Sequence, residues 1–564
     1  FQFEYITRII ECKGIGDVGH LDEPFIMRKP YVLRSCIEQQ QVLEKHLLQR
    51  GYENAAVESH SPGVWRLKYN VTHTPLVSII IPTKDQLPIL ITCVTTLLEK
   101  TSYLNYEIII VDNNSELIET QEWLKGIAQV DPARIRVLSY PYPFNYSSIN
   151  NLAVEAARGE YIVLLNNDTA IIQNDWLENM LNHAQRPEVG IVGAKLLYPN
   201  GRIQHAGVVL GLRGPADHPF IGRPGDDKGY LNRLIADQNY TTVTAACMMV
   251  RKDVYQAVGG LDEERFRVSY NDVDFCLKVR EQGYLTVWTP YATVMHEGSV
   301  SQKKVDKATQ DAKIKRFTGE QDLMYEKWLP LIAKDPSYNA NLTLGGEGFE
   351  LLDDSSYTWK PVFWRPAPTV MAHMADLSGC GYYRIIKPFE AMEEAGLVQG
   401  KLSRLLINLP QLTQYDADSI ILKRQITPEA HDWIARLKKF SRAFKVFELD
   451  DYLPNLPVKN MHRVDMPKDI VKSIRKSLSM VDRFVVSTPV LADAFSGYHP
   501  DIRVAENRLP VNQWGSLSSL RGQGRKPRVG WAGGASHTGD LEMMVDVVRA
   551  LSDRVEWVFM GMCP

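Results

Sequence analysis

The chain has 564 residues, more than one hydrophobic core normally supports, so we expect about three or four domains. With 45% hydrophobic and 23% charged residues, its composition is typical of a globular protein and excludes a disordered or fibrous one. The net charge of -3 at pH 7 provides no basic field that would favour nucleic acid or anionic lipid as a partner.

Cysteine usage and the N-terminal sequence favour a cytoplasmic protein. The seven cysteines are scattered without a Cys-x-x-Cys pair, which is typical of reduced thiols. The opening stretch "FQFEYITRIIECKG" carries charges where a signal peptide would be apolar. Since the chain contains no apolar run of the roughly 20 residues that a membrane span needs, we expect at most peripheral membrane association.

Residues 1–75 have a mixed pattern that predicts no single class. From Leu76 onward, short apolar runs alternate with segments of helical spacing. The runs that predict strands are "LVSIIIP", "YEIIIVD", "RIRVLSY" and "YIVLLNND". This alternation predicts an α/β domain over residues 76–330, with a mainly parallel sheet and helices on both faces.

The strict alternation breaks between Gly190 and Ser299. Loops rich in Gly and Pro are followed there by a predicted strand, "TAACMMVR", a helix, "NDVDFCLKVREQG", and a strand, "LTVWTP". Residues 300–330 predict a charged helix, and residues 331–367, rich in Pro, Gly and Asp, predict a linker. A second α/β pattern begins near Pro368, with further predicted strands such as "SIILKR", "AFKVFELDD" and "DRFVVST".

Three predicted strands of the first domain end in polar side chains, and these are Thr83 and Asp85; Asp112, Asn113 and Asn114; Asn166, Asn167 and Asp168. Turn formation explains any one of these clusters, because Asp and Asn favour turns and helix caps. In a parallel sheet, however, such turns converge on one crevice. Carboxylates there suit the ring N–H and ribose hydroxyls of a nucleotide, or a divalent cation held against a diphosphate.

Two further segments offer side chains to this crevice. Asp272 and Asp274 lie near the start of a predicted helix, where they either cap its N-terminus or provide a general base. His296, in "TVMHEGS", is either an ordinary surface or core histidine or a nitrogen ligand beside a carboxylate metal site.

The order of these segments resembles family 2 glycosyltransferases, which have the GT-A fold. The resemblance extends over about residues 76–301. It is carried by "VSIIIPTKD", "EIIIVDNNS", "INNLAVEAARGEYIVLLNND", "TAACMMVRKDVYQAVGGLDE", "NDVDFCLKVREQGY" and "HEGSVS". The stretches "YPFNYSSINN" and "QHAGVVLG" look most like the branch that builds rhamnose-containing and related bacterial surface polysaccharides.

The resemblance implies a role for each matching position. Asp168, the last residue of "NND", and His296 would bind Mg²⁺ or Mn²⁺, and Asp272 would be the catalytic base, with Asp274 as the alternative. "NND" begins with Asn166 where the family has Asp, and Asn271 replaces the Glu of the family's Glu-Asp pair. The nucleotide and donor sugar would contact Pro82, Thr83, Asp85, Asp112, Asn114, Asn151, Asn166 and Asn167.

The implied activity is an inverting, metal-dependent transfer of a hexosyl or rhamnosyl group. The donor would be a UDP- or dTDP-linked sugar, and the acceptor a glycan or lipid-linked glycan of O-antigen or capsule synthesis. A sugar nucleotidylyltransferase is less favoured, because "IPTKDQLP" lacks a Gly-rich phosphate loop with Lys or Arg near it. A non-catalytic glycan-binding or scaffold protein with degenerate sites stays open, because Asn166 and Asn271 depart from the family pattern.

The second half resembles a family 4 type glycosyltransferase of the GT-B fold, which has two Rossmann-like halves. The stretches that carry this are "GCGYYRIIKPFEAMEEAG", "FKVFELDDYLP" and "VGWAGGASHTGDL". We expect residues 368–515 to form the first half and residues 516–564 to form an incomplete second half, for which we predict no separate activity.

Overall fold

The structure is a computed structural model. It describes residues 2–13, 37–70, 73–298, 307–352, 366–377, 379–456, 460, 463, 466–518, 526–534 and 537–561. The chain divides into two compact units, residues 1–359 and 360–564. Within the described ranges, no helix combines the length and the apolar character that a membrane span requires.

The first unit contains strands and helices in alternation over most of its length. Its strands are β1 (Ala56–Ser61), β2 (Val64–Lys68), β3 (Val77–Thr83), β4 (Tyr106–Asp112), β5 (Ile135–Ser139), β6 (Tyr161–Leu165), β7 (Thr169–Ile171), β8 (Val189–Leu197), β9 (Ile203–His205), β10 (Val209–Leu210), β11 (Ala216–Asp217), β12 (Gln238–Tyr240), β13 (Cys247–Arg251) and β14 (Leu285–His296). Its helices are α1 (Gln2–Lys13), α2 (Ile37–Gln49), α3 (Leu87–Lys100), α4 (Ile118–Val130), α5 (Tyr146–Ala156), α6 (Trp176–Ala184), α7 (Lys252–Ala257), α8 (Asn271–Glu281) and α9 (Lys307–Ala333), with a 3-10 helix at Tyr230–Ile235.

The main sheet of this unit is mixed but mostly parallel, as the sequence predicted. Its strand order is β12-β14-β8-β13-β6-β3-β4-β5, with β7 added to β14 and β9 to β8. Strands β3, β4, β5, β6, β8 and β14 run in one direction, whereas β12 and β13 run against them. The predicted strand "TAACMMVR" is β13, which enters antiparallel between β6 and β8.

The burial of both faces of β3 explains why its sequence is a continuous apolar run. Its side chains alternate between two cores, with Val77, Ile79 and Ile81 in one and Ile80 in the other. Helices α3 and α6 cover the first core, and α5 and α8 cover the second. Both faces of the sheet are therefore buried under helices, as predicted.

A buried carboxylate ties the amino ends of the central strands together. Glu107, on β4, is 1% exposed. It accepts hydrogen bonds from Ser78 Oγ at 2.6 Å, from the Arg158 backbone N–H and Nε at 2.7 Å, and from an Arg136 guanidinium nitrogen at 2.9 Å. Four donors from two strands and one loop thus converge on one side chain.

Replacing Glu107 by Gln is expected to lower the free energy of unfolding of the first unit by about 2–4 kcal/mol, because two arginines lose their buried counter-ion. Burial raises the pKa of the Glu107 carboxyl, but the hydrogen bonds from Ser78 and Arg158 and the charge of Arg136 outweigh it and hold the pKa below 4.5. Because the folded pKa is depressed, this stabilisation is present above pH 4.5 and is lost as the pH falls through the folded pKa. Urea unfolding should therefore show a difference between wild type and variant that shrinks at acidic pH; a pH-independent difference would contradict the ion-pair account.

The segments on either side of the sheet domain also belong to the first unit. Residues 37–70 pack against α6, where Arg66 donates to Asn179 at 2.6 Å and the Tyr69 backbone N–H donates to Asn182 at 2.8 Å. The predicted linker, residues 331–367, needs correction up to residue 352, because residues 331–333 belong to α9 and the residues after them are packed. Asp335 is buried and accepts from the Leu210 backbone N–H at 2.8 Å, and other residues of this segment join the core of the unit.

A composition rich in Gly, Pro and Asp suggested a linker, but the apolar residues between them decide the packing. Phe349 stacks on Phe220 at 4.9 Å between ring centroids, and Leu342 and Leu344 are buried beside it. These apolar residues follow neither helical nor strand spacing, so their burial could not be predicted from the sequence pattern.

The second unit is built on parallel strands. Its strands are β15 (Thr369–His373), β16 (Gln399–Ser403), β17 (Ser419–Lys423), β18 (Phe444–Leu449), β19 (Arg483–Val486), β20 (Ile502–Val504), β21 (Arg528–Gly533) and β22 (Glu556–Gly561). Its helices are α10 (Gly379–Gly381), α11 (Lys387–Glu394), α12 (Leu409–Tyr415), α13 (Pro428–Phe440), α14 (Ile470–Leu478), α15 (Pro489–Ala494), α16 (Val511–Trp514) and α17 (Thr538–Leu551), with a π-helical turn at Tyr382–Ile386 and a 3-10 turn at Leu453–Asn455. Six strands form one all-parallel sheet in the order β16-β15-β17-β18-β19-β20, and β21 pairs with β22 in parallel.

An ionic network occupies the carboxyl edge of this second sheet. The Lys423 ammonium group is fully buried and pairs with Glu448 at 2.6 Å and with Asp450. Arg384 pairs with the same Glu448 at 2.6 Å. Asp450, which the sequence places at a strand end, is thus held by a structural ion pair. The assignment of this unit to a GT-B module stays a prediction.

Candidate functional site

The polar ends of neighbouring strands meet at one edge of the first sheet. Thr83 closes β3 directly beside Asp112, which closes β4, in the parallel ladder between these strands. Asn167, just after β6, donates its Nδ2 hydrogen to Thr83 Oγ1 at 3.1 Å. Pro82 lies inside β3 although it has no N–H to donate to a neighbouring strand. It is tolerated there because the pairing of β3 with β6 extends from Val77 to Ile80 and ends before Pro82.

Two of the predicted site residues, Asp168 and His296, approach each other closely. Strand β7 pairs antiparallel with the end of β14, placing Thr169 opposite His296. As a result, Asp168 Oδ1 lies 2.8 Å from His296 Nε2. The two side chains are 15% and 11% exposed, so they are shielded but open to a small ligand.

The chemistry of this pair fits a divalent cation. A carboxylate oxygen and an imidazole nitrogen are ligands that Mn²⁺ accepts, and a carboxylate also suits Mg²⁺. Neighbouring ligands of a six-coordinate ion with bonds of about 2.1 Å lie about 3 Å apart, close to the separation seen here. Asp168 and His296 are therefore two residues that could hold a metal, and their assignment as its ligands stays a prediction.

Around this pair lie two more amides and a tyrosine. Asn166 Nδ2 is 3.4 Å from His296 Nε2, and Asn166 Oδ1 faces the Tyr146 hydroxyl at 3.4 Å. On the other side of the ring, His296 Nδ1 lies 2.5 Å from Gln204 Oε1. Tyr146 and Gln204 were assigned no role from sequence, although both lie in quoted stretches, "YPFNYSSINN" and "QHAGVVLG".

The carboxylates at the ends of β3 and β4 also shape their own loops. Asp85 Oδ1 accepts backbone N–H groups of Glu116 and Leu117 at 2.9 and 3.0 Å, so it joins the two loops. Asp112 Oδ1 accepts from the Ser115 backbone N–H at 3.0 Å. Asn114 has a positive φ of 59°, which Asn adopts more readily than most residues. These contacts are compatible with nucleotide binding. Turn formation alone would also explain why Asp and Asn occur at these three positions.

The structure corrects the role inferred for Asn151. Its Oδ1 accepts from the Tyr255 hydroxyl at 2.6 Å and from the Leu261 backbone N–H at 3.0 Å, while its Nδ2 donates to the Leu261 carbonyl at 3.0 Å. Both ends of the amide are therefore used to hold the "GGLDE" loop. A Cβ at Gly260 would lie 2.6 Å from Asn151 Oδ1, so the close approach also requires this glycine. Asn151 fixes the loop, and we do not keep it as a donor ligand.

The two aspartates of α8 have different environments. Asp272 is partly exposed, and its Oδ2 accepts from the Ala245 backbone N–H at 3.1 Å. Asp274 is fully buried, and its Oδ1 accepts from Lys327 Nζ and Trp328 Nε1, both at 2.7 Å. A general base must reach an acceptor hydroxyl, so Asp274 is ruled out as the base by its burial and ion pair.

One family model matches the segment that holds these strand ends. Residues 78–259 match the model of glycosyl transferase family 2. Thr83, Asp112 and Asp168 lie within this family 2 segment, and Asp272 and His296 follow it in the chain.

Two curated proteins are similar to part of this chain. The protein y4gI of Sinorhizobium fredii, described as uncharacterized, is 45% identical over 332 residues, which cover 59% of this chain and 35% of that protein. The O-antigen biosynthesis protein RfbC of Myxococcus xanthus is 39% identical over 307 residues, covering 54% of this chain and 23% of that protein. The chain thus spans about a third or less of the length of these two relatives.

Two solved structures resemble parts of the chain more distantly. One is the mannosyltransferase PcManGT of Pyrobaculum calidifontis, solved with GDP-Man and Mn²⁺, with a TM-score of 0.32, 15% identity and coverage of 47% of this chain and 71% of that one. The other is GalNAc-T7, solved with UDP, GalNAc and Mn²⁺, with a TM-score of 0.35, 13% identity and coverage of 49% and 57%.

Near the Asp168–His296 pair lie two histidines that sequence reasoning did not single out, His205, which is buried, and His218, which is partly buried. The Nδ1 atoms of His205 and His218 lie 2.8 Å apart. Burial lowers the pKa of His205 well below 6.5, and the neighbouring His218 lowers it further. Burial also lowers the pKa of His218, although Asp217 and Asp272 oppose this effect. The pair is therefore neutral near pH 7, and one ring donates to the other.

Proposed function

We propose that this chain carries an inverting, metal-dependent glycosyltransferase that moves a sugar from a nucleoside-diphosphate donor to a glycan acceptor in bacterial surface polysaccharide synthesis. The observation that carries the proposal is the 2.8 Å approach of Asp168 and His296 at the carboxyl edge of the sheet. The family 2 match over residues 78–259 supports the transferase class, and the likeness to an O-antigen biosynthesis protein supports the process.

The donor's place follows from the polar strand ends. We place the nucleoside over Pro82, Thr83, Asp85 and Asp112, and the diphosphate beside Asn166, Asn167 and Asp168. Asp168 and His296 would hold Mg²⁺ or Mn²⁺, which when bound would neutralise charge developing on the departing nucleoside diphosphate. Thr83 and Asn167, joined by their hydrogen bond, fix the two strand ends against each other. We propose a UDP- or dTDP-linked hexosyl or rhamnosyl donor.

The acceptor step is assigned to Asp272. Its carboxylate takes the proton from an acceptor hydroxyl while that oxygen forms a bond to the anomeric carbon. The bond from the anomeric carbon to the diphosphate oxygen breaks with its electron pair on the diphosphate, on the opposite face. One displacement of this kind inverts the anomeric centre, as in inverting hydrolases that activate water with a carboxylate. A glycan or lipid-linked glycan is the proposed acceptor, and a cytoplasmic location at the membrane's inner face stays a prediction.

Calorimetry with a panel of nucleoside diphosphates, with and without Mn²⁺, tests this proposal. Metal-dependent binding of UDP or dTDP is expected for the wild-type chain and is expected to disappear in Asp168→Ala. If the folded chain binds no nucleoside diphosphate under either condition, the transferase proposal fails and a scaffold role gains support.

A further inference from the structure

We propose that Gln204 is a positioning residue that fixes the tautomer of His296 and thereby sets the affinity of the site for a divalent cation. The inference rests on the proposed function, since Asp168 and His296 must be metal ligands for it to matter. Gln204 lies on β9, outside the strand ends from which the site was first identified.

The first observation is the contact on the far side of the His296 ring. Gln204 Oε1 lies 2.5 Å from Nδ1, and an amide oxygen can only accept a hydrogen bond. When Nδ1 carries the hydrogen, the ring donates it to Gln204 and the lone pair is left on Nε2. Asn166 Nδ2, which can only donate, lies 3.4 Å from that Nε2 and favours the same tautomer.

The second observation is what the exposed lone pair faces. Nε2 lies 2.8 Å from Asp168 Oδ1, which is also an acceptor when the carboxylate is ionised. With the hydrogen on Nδ1, the Nε2 lone pair and this carboxylate oxygen are close enough to bind one divalent cation together. The Gln204 contact thus prepares the histidine for a metal, since metal-bound histidines generally donate their other ring N–H to a fixed acceptor.

The backbone explains how Gln204 reaches this position. In the ladder between β8 and β9, Leu196 is opposite His205 and Leu197 is opposite Ile203, so the register shifts at Gln204. Such a bulge inserts an extra residue and turns its side chain away from the regular alternation. The bulge therefore aims Gln204 at the end of β14, where His296 lies.

A glycine two residues after His296 keeps room for the Gln204 amide. Gly298 has a φ of 68°, and a Cβ built there would lie 2.5 Å from Gln204 Nε2. The quoted stretches "QHAGVVLG" and "HEGSVS" are thus linked in space through one contact. A side chain at position 298 would push the Gln204 amide away from His296.

Mn²⁺ binding to the whole chain, followed by the electron paramagnetic resonance signal of free Mn²⁺, tests the inference without any assay of transfer. Gln204→Leu is expected to weaken Mn²⁺ binding about 10–100-fold, the usual effect of removing such an outer partner, with little change in melting temperature. Gln204→Glu keeps an acceptor at Nδ1 and is expected to bind Mn²⁺ at least as tightly as wild type. Gly298→Ala should weaken binding in the same direction as Gln204→Leu.

Two controls separate the possible failures. Gln185→Leu removes another partly buried glutamine, whose amide donates to the His73 carbonyl, and should leave Mn²⁺ binding unchanged. Asp168→Asn should abolish binding. If Asp168→Asn abolishes binding but Gln204→Leu binds within about twofold of wild type, the role of Gln204 is overturned while the metal site stands. If wild type binds no Mn²⁺, both the metal site and this inference fail.

Discussion

Asp168→Asn is expected to lower kcat/KM for sugar transfer by about 10³-fold or more, because the charge that helps hold the cation against the diphosphate is lost. The substitution keeps the shape of the side chain. The Glu297 backbone N–H donates to the Asp168 backbone carbonyl at 3.0 Å, and this contact does not involve the carboxylate. Folding should therefore be preserved. Initial rates with a UDP- or dTDP-linked sugar at several Mn²⁺ concentrations measure the effect.

Asp175→Asn is the matched control for this experiment. Asp175 lies shortly after Asp168, immediately before α6, and its carboxylate accepts only a surface hydrogen bond from Gln173 among the contacts described. Its replacement should leave both kcat/KM and the Mn²⁺ dependence near wild type. A near-normal rate for Asp168→Asn at all Mn²⁺ concentrations would remove this residue from the proposed mechanism.

Asp272→Asn is expected to lower kcat by about 10²–10⁴-fold while leaving nucleoside diphosphate binding intact, because an amide cannot accept the proton of the acceptor hydroxyl. The amide oxygen can still accept from the Ala245 N–H, so the local backbone contact is kept. Calorimetric binding of the nucleotide and a transfer assay on the same preparation separate the two effects. Activity that stays within a few-fold of wild type would exclude Asp272 as the base.

Asp274→Asn provides the contrast, because it changes the same residue type two positions further along the same helix. The buried Asp274 carboxylate balances the charge of Lys327, so its loss is expected to cost about 3–5 kcal/mol in free energy of unfolding. Thermal unfolding should therefore show a large loss for Asp274→Asn and a small one for Asp272→Asn. The reverse pattern would exchange the roles assigned to the two aspartates.

Much of the first domain was predictable because its information is local. An apolar run such as "VSIIIP" predicts a buried strand wherever it packs, and the alternation of such runs with helical segments predicts a parallel sheet. The polar residues at strand ends, Thr83, Asp112 and Asp168 among them, follow directly from where each run stops. Their convergence is a consequence of parallel pairing alone.

Local patterns failed where the role depends on a distant partner. The family resemblance implied a donor-binding role for Asn151, but both ends of its amide bind the loop at Leu261. Residues 334–352 looked like a linker, but Phe349 and its neighbours complete the core of the first unit. In both cases the sequence shows the residue type but not the surface that it meets.

The sequence by itself determined strands β3 to β6 and β13, and the polar residues that end β3, β4 and β6, because hydrophobic period and turn chemistry depend on neighbouring positions. Only the tertiary structure decided that Asp168 meets His296, that Asp274 pairs with Lys327 while Asp272 stays open, and that Gln204 holds the far side of the histidine ring. Each of those outcomes depends on strand pairing and helix packing between segments far apart in the chain, and the burial and distances they produce are absent from any single stretch of sequence.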